Sequence, residues 1–299
     1  MNVGFFFEVL IGGLLAGVMY SLVAIGFVLI YKASAVFNFA QGAMVFFAAL
    51  TFVSLVERGV NFWLALAITL AVMVVLGIAT EKVVLRPLVN QPPITLFMAT
   101  IGLSFVLEGL SQLIWGSQPH GLELGIPDVP MEWLSKATGM NVSQFDLFGA
   151  VVAGILVAVL ALFFQYTRIG RALRAVADDH QAALSVGIPL KHIWAIVWAV
   201  AGFVALVAGL MWGARNGVQF ALTFIALKAL PVLILGGFES VLGAVIGGLI
   251  IGATEKLAEV YIGPMVGGGI ESWFAYVIAL LFLLVRPQGL FGEKIIDRV

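Results

Sequence analysis

The chain has 299 residues, of which 62% are hydrophobic and only 10% charged, and its formal net charge is -1. This composition excludes an ordinary water-soluble protein, which is about 45–50% apolar and about 25% charged. The absence of cysteine excludes disulfides, thiolate metal sites and a cysteine nucleophile, and the near-neutral charge gives no reason to expect nucleic acid as a partner.

Nine apolar runs follow one another along the chain, and a membrane span needs about 20 predominantly apolar residues. The runs lie at 5–31, 35–56, 62–80, 93–115, 147–166, 192–213, 221–237, 241–254 and 271–285. They predict an all-α integral membrane protein, a polytopic helical bundle of about 8–10 transmembrane or re-entrant helices. Because the polar breaks are too short for a soluble domain, residues 1–299 are predicted to form a single transmembrane domain.

Basic residues between the runs predict the topology. Lysine and arginine near span ends favour the cytoplasm, and they follow the third, fifth and ninth runs, at 82–86, 168–174 and 286–298. The spans between successive basic segments are even in number, as one shared side requires. The count places the C-terminus in the cytoplasm and, if the second run crosses fully, the N-terminus outside.

Several polar residues lie inside apolar runs, where a charge at the bilayer centre costs at least about 2.5–3.5 kcal/mol. The second run opens with SAVFNFAQGAM, so Asn38, Gln41 and Gly42 are predicted to face protein or a water-filled cavity. Glu108 shares a helical face with Ser104. It either lines the outer mouth of a pathway or pairs with a neighbouring helix.

The seventh and eighth runs are short and meet at GGFESVLG. Either a re-entrant hinge containing Gly236, Gly237 and Glu239 or a tight hairpin at the membrane surface fits this pattern. Lys228 is predicted to pair with Glu239, and Glu255 to lie on a solvated rim. Small-residue spacings that favour close helix packing occur at Gly243, Gly247, Gly248 and Gly252.

The longest polar stretch on the predicted cytoplasmic side is TRIGRALRAVADDHQAALSVGIPLKHIW. Residues 171–186 contain neither proline nor glycine, and apolar residues recur at helical spacing, so the stretch predicts a short amphipathic helix ended by Gly187 and Pro189. Such a helix suits docking into a partner's groove or lying on lipid headgroups. Its polar face carries Arg171, Arg174, Asp178 and Gln181.

Four segments, in the same order, resemble the branched-chain amino acid permease family of ABC importers, the LivH/LivM type. They are FNFAQGAM at 37–44, RIGRALRAVADDHQAALSVGIP at 168–189, LILGGFESVLGAVIGGLIIGATE at 233–255 and RPQGLFG at 286–292. Residues 181–187 have the spacing of the family's EAA loop, with Gln181 in place of Glu. Gln41 stands where His is common, and Phe238 and Glu239 depart from the family pattern, which leaves the substrate open. The order of the last segments suits the LivH-like half.

The resemblance implies a permease subunit of a bacterial inner (plasma) membrane that works by alternating access. Its implied partners are a second, LivM-like permease subunit, two ABC ATPase subunits, a periplasmic or extracellular substrate-binding protein, and membrane lipid. Within the coupling segment, 168–190, the implied ATPase-coupling residues are Arg168, Arg171, Arg174, Asp178, Gln181, Ala182, Ala183 and Gly187. The candidate translocation-path residues are Asn38, Gln41, Gly42, Glu108, Gly236, Gly237 and Glu239.

The implied cargo is a branched-chain or other small neutral amino acid, with urea or short amides and aromatic or dicarboxylic acids as alternatives. An autonomous channel or ion-coupled carrier is the alternative from another class. The sequence lacks a G-x-x-x-x-G-K-[ST] phosphate loop, so ATP hydrolysis is assigned to partner subunits. It also lacks the residue patterns of intramembrane enzymes, so no catalytic residue, metal site or cofactor is predicted.

Overall fold

The computed structural model describes residues 3–88, 91–178, 183, 185, 187 and 189–292. Over this part of the chain it is all-α, with two isolated β-bridges and no strand, which confirms the predicted fold class. The helices are α1 (Val3–Ser34), α2 (Gln41–Glu57), α3 (Phe62–Ala79), α4 (Pro93–Trp115), α5 (Glu132–Thr138), α6 (Gln144–Tyr166), α7 (Arg168–Asp178), α8 (Leu190–Asn216), α9 (Ile225–Gly236), α10 (Val241–Tyr261), α11 (Gly263–Val266) and α12 (Glu271–Val285).

Six of the described helices are long and apolar enough to cross a membrane: α1, α3 with its continuation to Leu88, α4, α6, α8 and α10. The shorter apolar helices are Gln41–Glu57, Phe220–Gly236 and Glu271–Val285. Together they correspond to the nine apolar runs. The expectation that the eighth run is short is wrong, because α10 has 21 residues and continues through the polar pair Glu255 and Lys256.

The end of α3 is irregular and extends into the first predicted basic break. A π-helical turn, Thr80–Leu85, is followed by a 3-10 turn, Arg86–Leu88. The Glu81 carboxylate is buried, and both of its oxygens accept hydrogen bonds from the Arg86 guanidinium, at 3.0 Å from Nε and 2.8 Å from Nη2. This bidentate pair satisfies the buried charge at the point where regular helical geometry ends.

The chain divides into two compact units. The first unit comprises the described residues within 1–24, 124–155 and 227–299. Its core depends on glycine: a Cβ atom on Gly17 of α1 would lie 2.2 Å from the carbonyl oxygen of Gly248 on α10, and one on Gly252 would lie 2.3 Å from that of Gly13. The Ser21 hydroxyl donates to the carbonyl of Ala244 at 3.0 Å. Small residues therefore bring the backbones of α1 and α10 into contact.

The second unit comprises 25–123 and 156–226, and α2 forms its centre. Every residue of α2 from Gln41 to Ser54 is buried, against α3, α4, α8 and the 3-10 turn Phe220–Phe224. The outer faces of α3 and α4 instead expose large apolar side chains, including Val75, Phe105 and Leu113. A helix that is apolar on both its packed and its exposed face is typical of a membrane span.

Candidate functional site

Residues 35–40 form a break between α1 and α2 within the second unit. Ala35 has a positive φ of 52°, a conformation uncommon for residues other than glycine. Asn38 is fully buried; its Oδ1 accepts from the Ala40 N–H at 3.1 Å, and its Nδ2 donates to Gln41 Oε1 at 3.1 Å. The Asn38 side chain thus supplies hydrogen bonds that the interrupted helix does not, as asparagine does in tight turns.

Gln41 and Gly42 continue this break into the first turn of α2. Gln41 is fully buried, and its Nε2 has no hydrogen-bond partner among the described residues. Gly26 of α1 makes room for it, because a Cβ atom there would lie 2.1 Å from Nε2. Gly42 allows close approach on another face, where a Cβ would lie 2.1 Å from the Thr223 carbonyl oxygen. The side chains of Asn38 and Gln41 are therefore enclosed by protein, one of the two environments predicted for them.

Thr100 of α4 anchors the same break, and the sequence analysis missed it. Its hydroxyl accepts from the Phe39 N–H at 3.1 Å, and the carbonyl oxygens of Phe37 and Phe97 lie 3.1 and 2.8 Å from it. A buried hydroxyl in an apolar helix therefore satisfies backbone groups of the unwound segment. A lone threonine is too common in apolar runs to have been singled out.

Glu108 is partly exposed on α4, and Ser104, one turn earlier, donates to its Oε1 at 3.2 Å. The hydrogen bond thus lies within one helix, whereas the sequence left open a neighbouring helix or the outer mouth. Any part that Glu108 has in a pathway stays a prediction.

The 236–240 segment has the geometry of a tight, capped hairpin between α9 and α10. Gly237 has a φ of +100° and donates its N–H to the Leu233 carbonyl at 2.8 Å. Ser240 caps α10, because its Oγ accepts from the Gly243 N–H at 2.9 Å. The C-terminal RPQGLFG segment covers the hairpin through the Leu290 N–H, which donates to the Leu235 carbonyl at 2.8 Å.

The glycines of α10 lie on two of its faces. A Cβ on Gly243 would lie 2.2 Å from the Gly236 carbonyl oxygen, and one on Gly247 would lie 2.6 Å from that of Val232, so this face packs on α9. Gly248 and Gly252 lie on the face toward α1. The same helix thereby approaches two neighbours closely.

A charged cluster lies inside the first unit, where two predictions were wrong. Lys228 Nζ donates to Glu255 Oε1 at 2.7 Å and to the Glu271 carbonyl at 3.1 Å, instead of pairing with Glu239. Glu255 is only 1% exposed and does not form a solvated rim; its Oε1 also accepts from the Tyr20 hydroxyl at 3.1 Å. The adjacent charges of Glu255 and Lys256 suggested one solvated rim. Consecutive residues of a helix point about 100° apart, however, so the two side chains need not share one environment.

The basic surface helix α7 is amphipathic. Leu173 and Val176 are buried, and Arg168, Arg171 and Arg174 are exposed. Two of the arginines also bind the C-terminal end of α6: Arg171 donates to the Tyr166 carbonyl at 3.2 Å and Arg174 to the Gln165 carbonyl at 3.3 Å. These contacts satisfy carbonyl groups that a helix end leaves unpaired.

Three of the predicted coupling positions lie outside the described residues: Gln181, Ala182 and the side chain of Asp178. Ala183 is buried, and Gly187 has a φ of +83°, which favours glycine. The segment leads into α8, which begins at Leu190, directly after Pro189.

Long apolar helices with polar groups buried among them are the architecture of a multi-pass membrane protein. The family model described as "Branched-chain amino acid transport system / permease component" matches residues 9–286, and the chain belongs to this family. It is therefore a non-catalytic permease subunit of a transport system, and a multi-pass inner membrane protein.

Curated relatives are similar over nearly the whole chain. The high-affinity branched-chain amino acid transport system permease protein LivH of Escherichia coli (strain K12) is 27% identical, covering 99% of this chain and 98% of LivH. BraD of Pseudomonas aeruginosa, with the same description, is 28% identical and covers 98% of each chain. The probable LivH of Methanocaldococcus jannaschii is 27% identical, covering 95% of this chain and 92% of its own.

Proposed function

We propose that this chain is one of two permease subunits of an ATP-binding-cassette importer and that it passes branched-chain or other small neutral amino acids inward by alternating access. The names of the LivH and BraD relatives support this cargo. The proposed partners are a homologous LivM-like permease, two ATPase subunits and a periplasmic or extracellular substrate-binding protein. The C-terminus is assigned to the cytoplasm and the N-terminus to the outside.

The observation that carries the proposal is the helix α7. It lies between two long apolar helices, packs through Leu173 and Val176, and presents three arginines on its exposed face. Because Arg171 and Arg174 also bind carbonyl groups of α6, a displacement of α7 would act on α6 directly. Since the apolar face of α7 is already packed, its exposed basic face is the one that a partner with a complementary acidic surface could bind. We therefore assign 168–190 as the segment on which an ATPase acts, with the coupling residues named above.

The break between α1 and α2 is proposed to line or gate the pathway. Polar side chains buried among apolar helices are tolerated where they face protein or a water-filled cavity, and transport pathways use unwound backbone between helices to place polar groups. Gln41 offers the group for solute contact, because its Nε2 is a buried donor with no partner among the described residues. Asn38 and Gly42 shape the same segment, and Glu108 with Gly236, Gly237 and Glu239 are retained as further path candidates.

The coupling assignment is tested in the complex co-purified with its ATPases and binding protein. We expect R171E/R174E to lower the ATPase stimulation by loaded binding protein more than tenfold while all subunits still co-purify. Arg168→Glu separates docking from helix capping, because the contacts with α6 are made by Arg171 and Arg174. Full stimulation in the assembled variants would contradict the assignment.

Lys136→Glu is the matched control for these charge reversals. Lys136 lies on the exposed helix α5 and pairs with Glu132 at i,i+4, a surface contact worth about 0.3–0.5 kcal/mol. It lies outside the proposed coupling segment, so ATPase stimulation should stay at the unmodified level. Screening leucine, aromatic amino acids, glutamate and urea against the co-purified binding protein identifies the cargo.

A further inference from the structure

The Lys228–Glu255 pair joins four segments of the first unit that are far apart in the sequence. Tyr20 lies on α1, Lys228 on α9 and Glu255 on α10, and the Glu271 carbonyl lies at the start of α12. Glu255 is 1% exposed, whereas the Lys228 side chain retains 26% exposure. The cluster is therefore closed around the carboxylate and more open on the side of the lysine.

The two oxygens of Glu255 have unequal environments. Oε1 accepts from both the Lys228 ammonium and the Tyr20 hydroxyl, but Oε2 is buried and has no hydrogen-bond partner in the described part of the chain. Lys228 has three ammonium protons, of which two are directed to Glu255 and to the Glu271 carbonyl. The pair thus offers one carboxylate oxygen, Glu255 Oε2, that accepts no hydrogen bond from the described residues. Beside it, the Lys228 ammonium has a third proton that is not directed to either of these acceptors.

Two other carboxylates of the chain, Glu81 and Glu259, have hydrogen-bond donors for both of their oxygens. Both Glu81 oxygens accept from the Arg86 guanidinium. Both Glu259 oxygens, one turn beyond Glu255 on α10, accept backbone N–H groups, from Gly269 and Glu271. Buried polar atoms in native proteins are almost always hydrogen-bonded, and each exception needs a reason. Glu255 differs from Glu81 and Glu259, because one of its two buried oxygens has no hydrogen-bond partner among the described residues.

We propose that Glu255 and Lys228 form a binding subsite for the transported solute, in which Glu255 Oε2 accepts an N–H of the solute and Lys228 donates to an oxygen of the same solute. The subsite fits solutes that carry an N–H donor next to an oxygen acceptor, the chemistry shared by amino-acid zwitterions and short amides. This inference rests on the proposed function, because it places the subsite on a solute pathway.

The test measures binding to the complex of permease and ATPase subunits, purified without the binding protein, by ligand-induced thermal stabilisation. The probes are leucine, 4-methylpentanoate, which is leucine without its ammonium group, and urea as a neutral amide. Glu255→Gln should weaken leucine binding roughly tenfold to a hundredfold, the usual effect of losing a hydrogen bond to a charged group. The affinity for 4-methylpentanoate should change less than threefold, because this compound offers no N–H to Oε2. If short amides are the solute, Glu255→Gln should weaken the binding of urea by the factor given for leucine.

Two further variants keep the test decisive. K228Q/E255Q removes both charges, so it serves if Glu255→Gln alone does not assemble, and it should remain defective in binding. Glu259→Gln is the control on the same helix and should bind as the unmodified complex does.

Three results would overturn the subsite: unchanged binding in Glu255→Gln, equal losses for leucine and 4-methylpentanoate that K228Q/E255Q reverses, or no stabilisation of the unmodified complex by any probe. Equal losses for the two probes that the double variant reverses would mean that the pair is only structural. ATPase stimulation by loaded binding protein is recorded in parallel. Its presence with normal solute binding in Glu255→Gln would reject the subsite while leaving the proposed function intact.

Discussion

The break at Asn38–Gln41 and the cluster at Lys228–Glu255 both bury polar groups among apolar helices, but by different chemistry. The break uses neutral amides three residues apart, together with a threonine hydroxyl. The cluster uses full charges 27 residues apart and a tyrosine 235 residues from the carboxylate. Losing a partner should therefore cost about 1–3 kcal/mol at the break and about 3–5 kcal/mol at the cluster.

The largest effect is expected from Glu255→Leu, which leaves the Lys228 ammonium without its carboxylate. We expect the free energy of unfolding to fall by about 3 kcal/mol or more, measured by SDS titration in mixed micelles. The double variant K228M/E255L should recover most of the loss, since replacing a buried pair with apolar residues is often nearly neutral. A loss below about 1 kcal/mol in the single variant would remove the energetic contrast between the two regions.

Gly17→Ala tests whether helix approach holds the cluster together. The new Cβ would lie 2.2 Å from the Gly248 carbonyl oxygen, so α1 and α10 must separate and the Tyr20–Glu255 contact must lengthen. We expect a loss of about 2–3 kcal/mol by the same titration, as for other overpacked cores. Gly12→Ala is the matched control on α1, because a Cβ there meets nothing within 4 Å. Equal effects of the two changes would argue against glycine-dependent packing.

Asn38→Leu tests the neutral break. It removes the acceptor for the Ala40 N–H and the donor to Gln41 Oε1. The free energy of unfolding should fall by about 2 kcal/mol, less than for Glu255→Leu, because no net charge is left unpaired. A larger loss of unfolding free energy for Asn38→Leu than for Glu255→Leu would contradict the expected difference in cost between neutral and charged buried groups.

The smallest effect on stability is expected from Gln41→Met. It removes an acceptor for Asn38, but it also removes the buried Nε2 that has no partner among the described residues, so the net cost should be about 1 kcal/mol or less. Solute uptake should nevertheless fall severalfold in reconstituted vesicles. Uptake at the unmodified rate would exclude Gln41 from the pathway.

The two regions also differ in how much the sequence could predict. Asn38, Gln41 and Gly42 lie in one apolar run, so the requirement that they face protein or a water-filled cavity follows from composition alone. The Lys228 partner could not be found this way, because Glu239 is closer along the chain while Glu255 is closer in space. Sequence distance is a poor guide to contacts between packed helices.

The lengths and types of the helices could also be predicted only in part from the sequence. The apolar runs predicted the number and the order of the described apolar helices, but hydropathy ended the eighth run before Glu255. The charge of Glu255 is in fact compensated by Lys228 of α9, so α10 continues past it. The π-helical turn Thr80–Leu85 looked like a polar break, since the Glu81–Arg86 pair that stabilises it has no distinctive spacing. Charges that are paired within the fold therefore shift apparent span boundaries.

Solute uptake into proteoliposomes decides whether partner ATPases drive transport through this permease. Vesicles are prepared with this chain alone, and with the complete complex, loaded binding protein and ATP. We predict uptake only from the complete complex, and its loss when R171E/R174E replaces the unmodified chain. Uptake by the chain alone at a comparable rate, without ATPases, would show instead that the protein is an autonomous carrier or channel.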